Sequence, residues 1–417
     1  MDPVCPRIAL TVRLAACLAC LTAVAVAQSG TYSDMTAYPV PTPASSAWGI
    51  SAGPDGALWF AENAGAKIGR ITTAGAITEY AVSTFSDSPR FITPGPDGAL
   101  WFTDPSGNQI GRITTAGVVT EYPLPASVSP AGPDGITAGP DGALWFAEYS
   151  SSQIGRITTA GTITEYPLPL PDSDPYDIAA GPDGALWFTA QLYGQIGRIT
   201  TSGEISSYAL PSGSIPSGIT AGSDGALWFT IGGVFAQIGR ISTSGAVTTY
   251  DVLVGRGGAP MAIAAGGDGA LWFTLDAFTG RITTSGVVTL YPVPTRSGAS
   301  GIAAGPDGAL WFTQFPANNI VRAPACGLGF SASFSGATLT MNFNMGIDTP
   351  ATFDILLHTA GGVSTPFSKA IPPVAPPRAF TLEWTLPDLG SVTVQPSLTG
   401  SSGAPICSEW TTVNTAP

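Results

Sequence analysis

The sequence contains little charge and only one histidine. Charged residues make up 10% of the 417 residues, the formal net charge is −13, and lysine occurs twice, at Lys67 and Lys369. Binding to phosphates needs clustered basic side chains, so a nucleic-acid partner is excluded. Histidine, the usual general base near neutral pH, occurs only at His358. With so few Cys and His residues, we expect no metal site built from them.

Three of the five cysteines fall in an N-terminal segment that resembles a signal peptide. Arg7 and Arg13 precede an apolar run that ends in Ala-Val-Ala at Ala27, a pattern typical of signal-peptidase cleavage. We predict a signal peptide over residues 1–27, no transmembrane segment after its removal, and a secreted or periplasmic protein. Leu-Ala-Ala-Cys ending at Cys17 resembles a lipoprotein cleavage box, so a lipoprotein is the alternative.

Two cysteines remain beyond the predicted signal peptide, Cys326 and Cys407. An even pair in an exported chain is typical of a disulfide, which we predict between them.

The sequence Asp-Gly-Ala-Leu-Trp-Phe occurs seven times, at intervals of 39 to 44 residues. It begins at Asp55, Asp97, Asp141, Asp183, Asp224, Asp268 and Asp307. Each unit contains four short extended segments separated by turns rich in Gly and Pro. Four strands every 40 to 45 residues are typical of a β-propeller blade. The repeat is therefore structural, and function must depend on positions that differ between copies.

Partial motifs predict how the ring closes. The fourth-strand tyrosine occurs before the first full motif, at Tyr38, while nothing after Arg322 supplies that strand. We predict an all-β fold in which residues 31–323 form a seven-bladed propeller and the strand around Tyr38 completes the seventh blade. Residues 324–417 lack the repeat, and their short strands predict a small immunoglobulin-like β-sandwich.

The recurring segments carry a resemblance to a known family. Gly-Ile-x-Ala-Gly-Pro-Asp-Gly-Ala-Leu-Trp-Phe-Thr, then Gln-Ile-Gly-Arg-Ile-Thr, then Glu-Tyr-Pro-Leu-Pro resemble the streptogramin (virginiamycin B) lyases over residues 31–322. The resemblance implies a seven-bladed propeller that opens cyclic depsipeptides by elimination at the ester, with bound magnesium. It also implies a catalytic His just before an innermost strand, a Glu at the end of the second strand of that blade, and a further His in a neighbouring blade.

Two variable positions in each blade correspond to these residues. The first, seven residues before each motif Asp, is here named the entry position. It holds Trp48, Arg90, Asp134, Tyr176, Ser217, Met261 and Ser300. The second, at the end of the second strand, is named the exit position. It holds Glu62, Asp104, Glu148, Ala190, Ile231, Leu275 and Gln314. Neither position contains His in any blade.

The polar and aromatic occupants fall in the first four blades and are our candidate ligand-binding residues. They are Trp48, Glu62, Arg90, Asp104, Asp134, Glu148 and Tyr176. If they line one channel mouth, they form a pocket for a polar small molecule, with a divalent cation held by carboxylates as one option. The alternative is a purely structural role, in which Arg90 only neutralises Asp104 or Asp134.

Three functions are compatible with these observations. The first is an exported monomer that binds a small-molecule or surface ligand without catalysis. The second is an enzyme, either a divergent carbon-oxygen lyase that inactivates antibiotics or another carboxylate-based catalyst at the channel mouth. The third is a surface scaffold attached through residues 324–417. Magnesium is implied only by the family resemblance.

Overall fold

The computed structural model describes residues 35–323, apart from 83–87, 126–130, 234–235, 253–257 and 294–297, and outside this range the backbone of individual strands. The described residues contain strands and turns and no helix, so none of them forms a helix able to cross a membrane. The predicted signal peptide, residues 1–27, lies outside the described residues.

Seven antiparallel sheets of four strands form a propeller, which confirms the predicted blade count. The first three blades contain β3 (Ala47–Ala52), β4 (Leu58–Glu62), β5 (Lys67–Ile71) and β6 (Ile77–Ala81); β7 (Ile92–Pro94), β8 (Leu100–Asp104), β9 (Gln109–Ile113) and β10 (Val119–Pro123); β11 (Pro133–Ala138), β12 (Leu144–Glu148), β13 (Gln153–Ile157) and β14 (Ile163–Pro167). The fourth and fifth contain β15 (Pro175–Ala180), β16 (Leu186–Ala190), β17 (Gln195–Ile199) and β18 (Ile205–Ala209); β19 (Ser214–Ala221), β20 (Ala226–Gly233), β21 (Gln237–Ser242) and β22 (Val247–Asp251).

The last two blades also include strands from the N-terminal part of the chain. The sixth contains β23 (Ile263–Ala265), β24 (Leu271–Thr274), β25 (Phe278–Ile282) and β26 (Val288–Pro292), with β1 (Gln28–Ser29) parallel to β26; the seventh contains β27 (Gly298–Ala304), β28 (Leu310–Phe315), β29 (Asn319–Ala323) and β2 (Thr36–Pro39). Strand β2 pairs antiparallel with β29, with Tyr38 opposite Ile320. The predicted closure is therefore confirmed.

The repeated Asp connects three parts of each blade, as the first blade illustrates. Asp55 Oδ1 accepts a hydrogen bond from Trp59 Nε1 at 3.0 Å, and its Oδ2 accepts one from Arg70 Nε at 2.6 Å. The Arg70 guanidinium lies over the Trp59 ring at 5.9 Å, and Tyr80 stacks on that ring at 5.5 Å. The Asp–Trp and Asp–Arg bonds recur in all seven blades. These residues belong to the scaffold, as predicted.

The core lies between the blades. Trp59 of the first blade packs with Leu100 and Phe102 of the second, and the same combination recurs around the ring. In the first six blades a glycine in the third strand makes room for the Phe; a Cβ on Gly69, for example, would lie 2.1 Å from the Phe60 ring. In the seventh blade Val321 stands opposite Phe312. Burial of these aromatic rings is the main source of stabilisation between neighbouring sheets.

Beyond the propeller, the described backbone forms two further antiparallel sheets. One contains β30 (Gly329–Ser335), β31 (Thr338–Ile347) and β34 (Val374–Thr385); the other contains β32 (Ala351–Thr359), β33 (Ser364–Ile371), β35 (Val392–Gly400), β36 (Pro405–Ser408) and β37 (Thr411–Val413). The immunoglobulin-like arrangement stays a prediction. The predicted disulfide also stays one, because Cys326 and the side chain of Cys407 lie outside the described residues.

Candidate functional site

The backbone at the entry position is held by the preceding blade. Thr313 Oγ1 donates to the carbonyl of Trp48 at 2.6 Å, and equivalent threonines of the fourth and fifth blades donate to the carbonyls of Ser217 and Met261. These threonines follow the Trp-Phe pair of the repeat. The scaffold therefore fixes where the variable side chains begin, and the side chains determine the chemistry of the channel mouth.

Three entry residues, from the first, third and fourth blades, converge on Arg90 of the second blade. Its Nη1 donates to Asp134 Oδ1 at 2.6 Å. Its Cζ lies 5.1 Å from the Trp48 ring centroid and 5.3 Å from that of Tyr176, distances typical of cation–π contacts. The ring of Phe91 lies 5.9 Å away and meets Tyr176 edge-on. We name Trp48, Arg90, Asp134 and Tyr176 the Arg90 cluster.

The members of the Arg90 cluster differ in solvent exposure and in charge. The Arg90 side chain is 28% exposed, whereas that of Asp134 is 3% exposed. Burial raises the pKa of Asp134 to about 6, although the charge of Arg90 opposes this rise. Burial likewise raises the pKa of Tyr176 to about 12. At neutral pH the cluster therefore contains an ion pair and a neutral phenol. The pair engages one of the five N–H donors of the guanidinium.

The three exit carboxylates lie apart from this cluster, buried at the ends of second strands. Asp104 accepts hydrogen bonds from the amides of Ser88 and Gly107, both at 2.9 Å. Glu148 Oε2 accepts one from Ser151 Oγ at 2.6 Å. None of the three exit carboxylates lines the channel pocket described below. The structure thus brings together four of the seven candidate residues and buries the other three away from them.

Glu62 is the exit carboxylate with the fewest hydrogen bonds. Neither of its oxygens, nor Oε1 of Glu148, has a hydrogen-bond partner among the described residues. The nearby hydroxyl of Ser45 lies 2.8 Å from Asn318 Oδ1, so its proton is engaged there. Burial, and secondarily the charge of Glu79, raises the pKa of Glu62 to about 8, against the effect of Lys67. Burial raises that of Glu148 to about 7.

A pocket of about 110 Å³ occupies the channel beside the Arg90 cluster. Its wall includes Trp48, Phe91, Tyr176 and Met261, and also Asp177, which the sequence reasoning missed. Asp177 accepts hydrogen bonds from the amides of Ile178 at 2.9 Å and of Ile219, in the next blade, at 3.0 Å. Burial raises the pKa of Asp177 to about 7. The channel therefore contains a carboxyl group that titrates near neutral pH.

The residue after each entry position shows why Asp177 could have been found. Around the ring these residues are Gly49, Phe91, Gly135, Asp177, Gly218, Ala262 and Gly301. Glycine alternates with a larger residue because the inner strands touch at the glycines. A Cβ on Gly135, for example, would lie 2.5 Å from Asp177 Oδ1. Asp177 is the one charged residue in this series, and this difference from the other blades could have identified it as a candidate site residue.

The described residues do not fit the magnesium ion that the family resemblance implies. They contain no group of three or more His, Cys, Asp or Glu side chains placed to hold a metal. Magnesium requires a near-octahedral set of oxygen ligands. The two unpartnered oxygens of Glu62 belong to a single side chain and do not supply such a set.

Comparisons with known proteins agree with the fold and the repeat. The model of the virginiamycin B lyase family matches residues 18–212 and 171–328. The chain belongs to the virginiamycin B lyase family. The structure is similar to that of virginiamycin B lyase from Staphylococcus aureus, at 37% identity and a TM-score of 0.65, over 69% of this chain and 98% of that one.

Two further comparisons separate family likeness from fold likeness. A catalytically inactive His-to-Ala variant of the same Staphylococcus aureus lyase, solved with quinupristin, is 36% identical over 69% of this chain and 98% of that one, with a TM-score of 0.65. Hydrazine synthase of Kuenenia stuttgartiensis is 17% identical over 69% of this chain and 97% of that one, with a TM-score of 0.58. The latter likeness concerns the fold alone. No curated protein sequence matches the chain.

Proposed function

We propose that this member of the virginiamycin B lyase family is an exported protein that binds a small polar ligand at the channel mouth and does not carry out the family's elimination. The observation that carries the proposal is the Arg90 cluster. An arginine held between aromatic rings and paired with a buried carboxylate is a preformed polar recognition group. The export is supported by the signal-peptide pattern of residues 1–27.

The absence of histidine from the propeller sequence supports the non-catalytic part of the proposal. An elimination needs a base that is unprotonated near neutral pH and within reach of the substrate proton. The fifth and sixth blades, where the family resemblance places the catalytic apparatus, contain Ser217 and Met261 at the entry position and Ile231 and Leu275 at the exit position. None of these four side chains is a base.

Catalysis is tested by incubating the purified protein with quinupristin. The products are separated by liquid chromatography before mass spectrometry, because elimination opens the ring without changing the mass. The Staphylococcus aureus lyase is the positive control. We expect the cyclic compound to be recovered as in buffer alone. Protein-dependent formation of the linear product would contradict the non-catalytic part of the proposal.

Ligand binding is tested separately by ligand-detected NMR with small carboxylates, amides and sugars. Compounds that bind at the channel mouth should lose their signal with the Arg90→Ala variant and keep it with Val118→Ser, a change at an exposed turn residue. Binding that is the same for the native protein and Arg90→Ala would contradict the assignment of the Arg90 cluster, and so would an absence of binders.

Asp177 favours a divergent lyase as the second candidate function. Its carboxyl group lines the channel pocket next to Tyr176, and its pKa of about 7 is suited to a general base. If quinupristin is opened, Asp177→Asn should abolish the reaction and Glu204→Gln, at an exposed residue, should not. An activity that survives Asp177→Asn would remove this candidate.

A further inference from the structure

An apolar groove lies outside the channel on the blade loops of the third to fifth blades. Three large apolar side chains are exposed along it: Leu192 at 58%, Tyr193 at 46% and Ile215 at 45%. Tyr193 is held in place by a hydrogen bond of 3.1 Å from its hydroxyl to the carbonyl of Pro171. Such a concentration of exposed apolar side chains is uncommon on a protein surface and often marks a binding site.

The groove has the size of a small-molecule site. Its volume is about 570 Å³, within the range of about 300–1,000 Å³ that is usual for such sites. Gln191 and Ser214 add hydrogen-bonding groups to its wall. It shares no lining residue with the channel pocket, so the two are separate cavities.

The charge of the groove is entirely of one sign. Asp174 is the one charged residue among the described residues that line it, and no Lys, Arg or His accompanies it. Tyr149 lies beside Asp174, and the pKa of its hydroxyl is raised by burial and, to a smaller extent, by the Asp174 charge and by the hydrogen bond that the hydroxyl donates to Asp174. The carboxylate of Asp174 thus stands next to an apolar surface in a chain of net charge −13. A ligand that complements this groove has an apolar body and a positive charge.

We propose that the groove between Asp174 and Ile215 is a second binding site, and that its ligand is a small amphipathic cation. The ammonium group of the ligand pairs with Asp174, while its apolar body covers Leu192, Tyr193 and Ile215. The positive charge can also contact the faces of Tyr149 and Tyr193, as cations do with aromatic rings.

Three indoles of nearly the same shape test this site. Tryptamine carries an ammonium group, N-acetyltryptamine is neutral and indole-3-propionate is an anion. Isothermal titration calorimetry at low salt should show tryptamine binding about two- to fivefold more tightly than the other two, as expected for one partly exposed ion pair. Undetectable tryptamine binding, or equal affinities for the three indoles, would overturn the proposal.

Two variants separate the charge from the apolar surface. Asp174 has a φ of +48°, which asparagine tolerates well, so Asp174→Asn should fold. It should weaken tryptamine binding by about two- to fivefold without changing the affinity for the other two indoles. Leu192→Ser should weaken all three. Val118→Ser, in a turn at the opposite end of the strands, is the matched control for loss of an exposed apolar side chain. Unchanged tryptamine affinity in Asp174→Asn would refute the ion pair.

Discussion

Arg90 Nη1 lies 2.6 Å from Asp134 Oδ1, across the boundary between the second and third blades. The two residues occupy the entry position of successive repeats. The repeat brings this position of neighbouring blades together, and the variable side chains present there form an ion pair. Because Asp134 is buried and Arg90 partly exposed, the two partners do not contribute to stability in the same way.

We expect Arg90→Ala to reduce the free energy of unfolding by about 2 kcal/mol at pH 7.5, because the buried Asp134 carboxylate loses its counter-charge. The loss should shrink as the pH falls from 7.5 towards 6 and be small at pH 5, where Asp134 is protonated in both proteins. Urea denaturation at both pH values checks this. The double variant Arg90→Ala, Asp134→Asn should recover most of the loss. If it is as unstable as Arg90→Ala, the lost ion pair is not the cause.

Glu62 should make the protein less stable as the pH rises. The pKa of Glu62 is about 8 in the fold and about 4.5 when exposed, so the folded state holds its proton more tightly. Its destabilising effect is therefore absent below pH 4.5, grows up to pH 8 and then stays constant. The slope is at most about 1.4 kcal/mol per pH unit.

The variant Glu62→Gln isolates this effect. It should lie within about 1 kcal/mol of the native protein at pH 5 and be more stable than it by a few kcal/mol at pH 8.5, as measured by chemical denaturation. Glu204→Gln, at an exposed residue, serves as the control and should change neither value. A stability difference that is the same at both pH values would show that Glu62 does not titrate in this range.

The closing strand should be necessary for a stable ring. Deleting residues up to Val40 removes β2, exposes the edge of β29 and takes away Tyr38, which stacks on Trp311 at 5.7 Å. Tyr38 is half-buried, and loss of its stacking contact costs about 0.5–1.5 kcal/mol in addition to the lost burial of apolar surface. We expect a lower melting temperature and aggregation, whereas a deletion that ends at residue 34 should melt close to the protein that starts at Gln28. Equal melting of the two deletions would show that β2 does not close the ring.

Asn318 should contribute to closure from the other side of the same junction. Its Oδ1 accepts hydrogen bonds from the amide and hydroxyl of Ser45, and its Nδ2 donates to the carbonyls of Val40 and Thr42. Asn318→Asp keeps the acceptor, loses the donors and should lower stability by about 1–3 kcal/mol. Asn318→Gly, which suits the φ of +57°, should cost more because both functions are lost. Thermal melting ranks them, and the reverse order would contradict this role.

The repeat made the blades predictable because every copy forms the same bonds. Asp55, Trp59 and Arg70 lie within one repeat, so the structure of one repeat predicts that of the other six. The meeting of Trp48, Arg90, Asp134 and Tyr176 followed from their equal place in the repeat. The arrangement around Arg90 could not be predicted, since side-chain direction depends on neighbours in other blades.

Two aspects of the site were present in the sequence and went unused. Glu62 stands two residues after Phe60, so alternation along the strand puts it on the face that packs between blades. That pattern indicates burial of the exit carboxylates. Asp177 was missed because only one variable position of the first strand was compared. The groove at Leu192 could not be predicted, because four segments that are separate in sequence form it.

The alternation of glycine with a larger residue from blade to blade around the ring has a consequence that depends on whether the number of blades is odd or even. In a closed ring with an odd number of blades, glycine and a larger residue cannot alternate throughout, so two neighbouring blades must both have glycine or both have a larger residue. Here the mismatch joins Gly301 and Gly49, where a Cβ would lie 2.4 Å from the oxygen of Trp48 and 2.7 Å from that of Arg90, respectively. Two close contacts follow each other at this junction, and their partners are the carbonyl oxygens of Trp48 and Arg90, two residues of the Arg90 cluster. An even ring with the same alternation would contain no such junction.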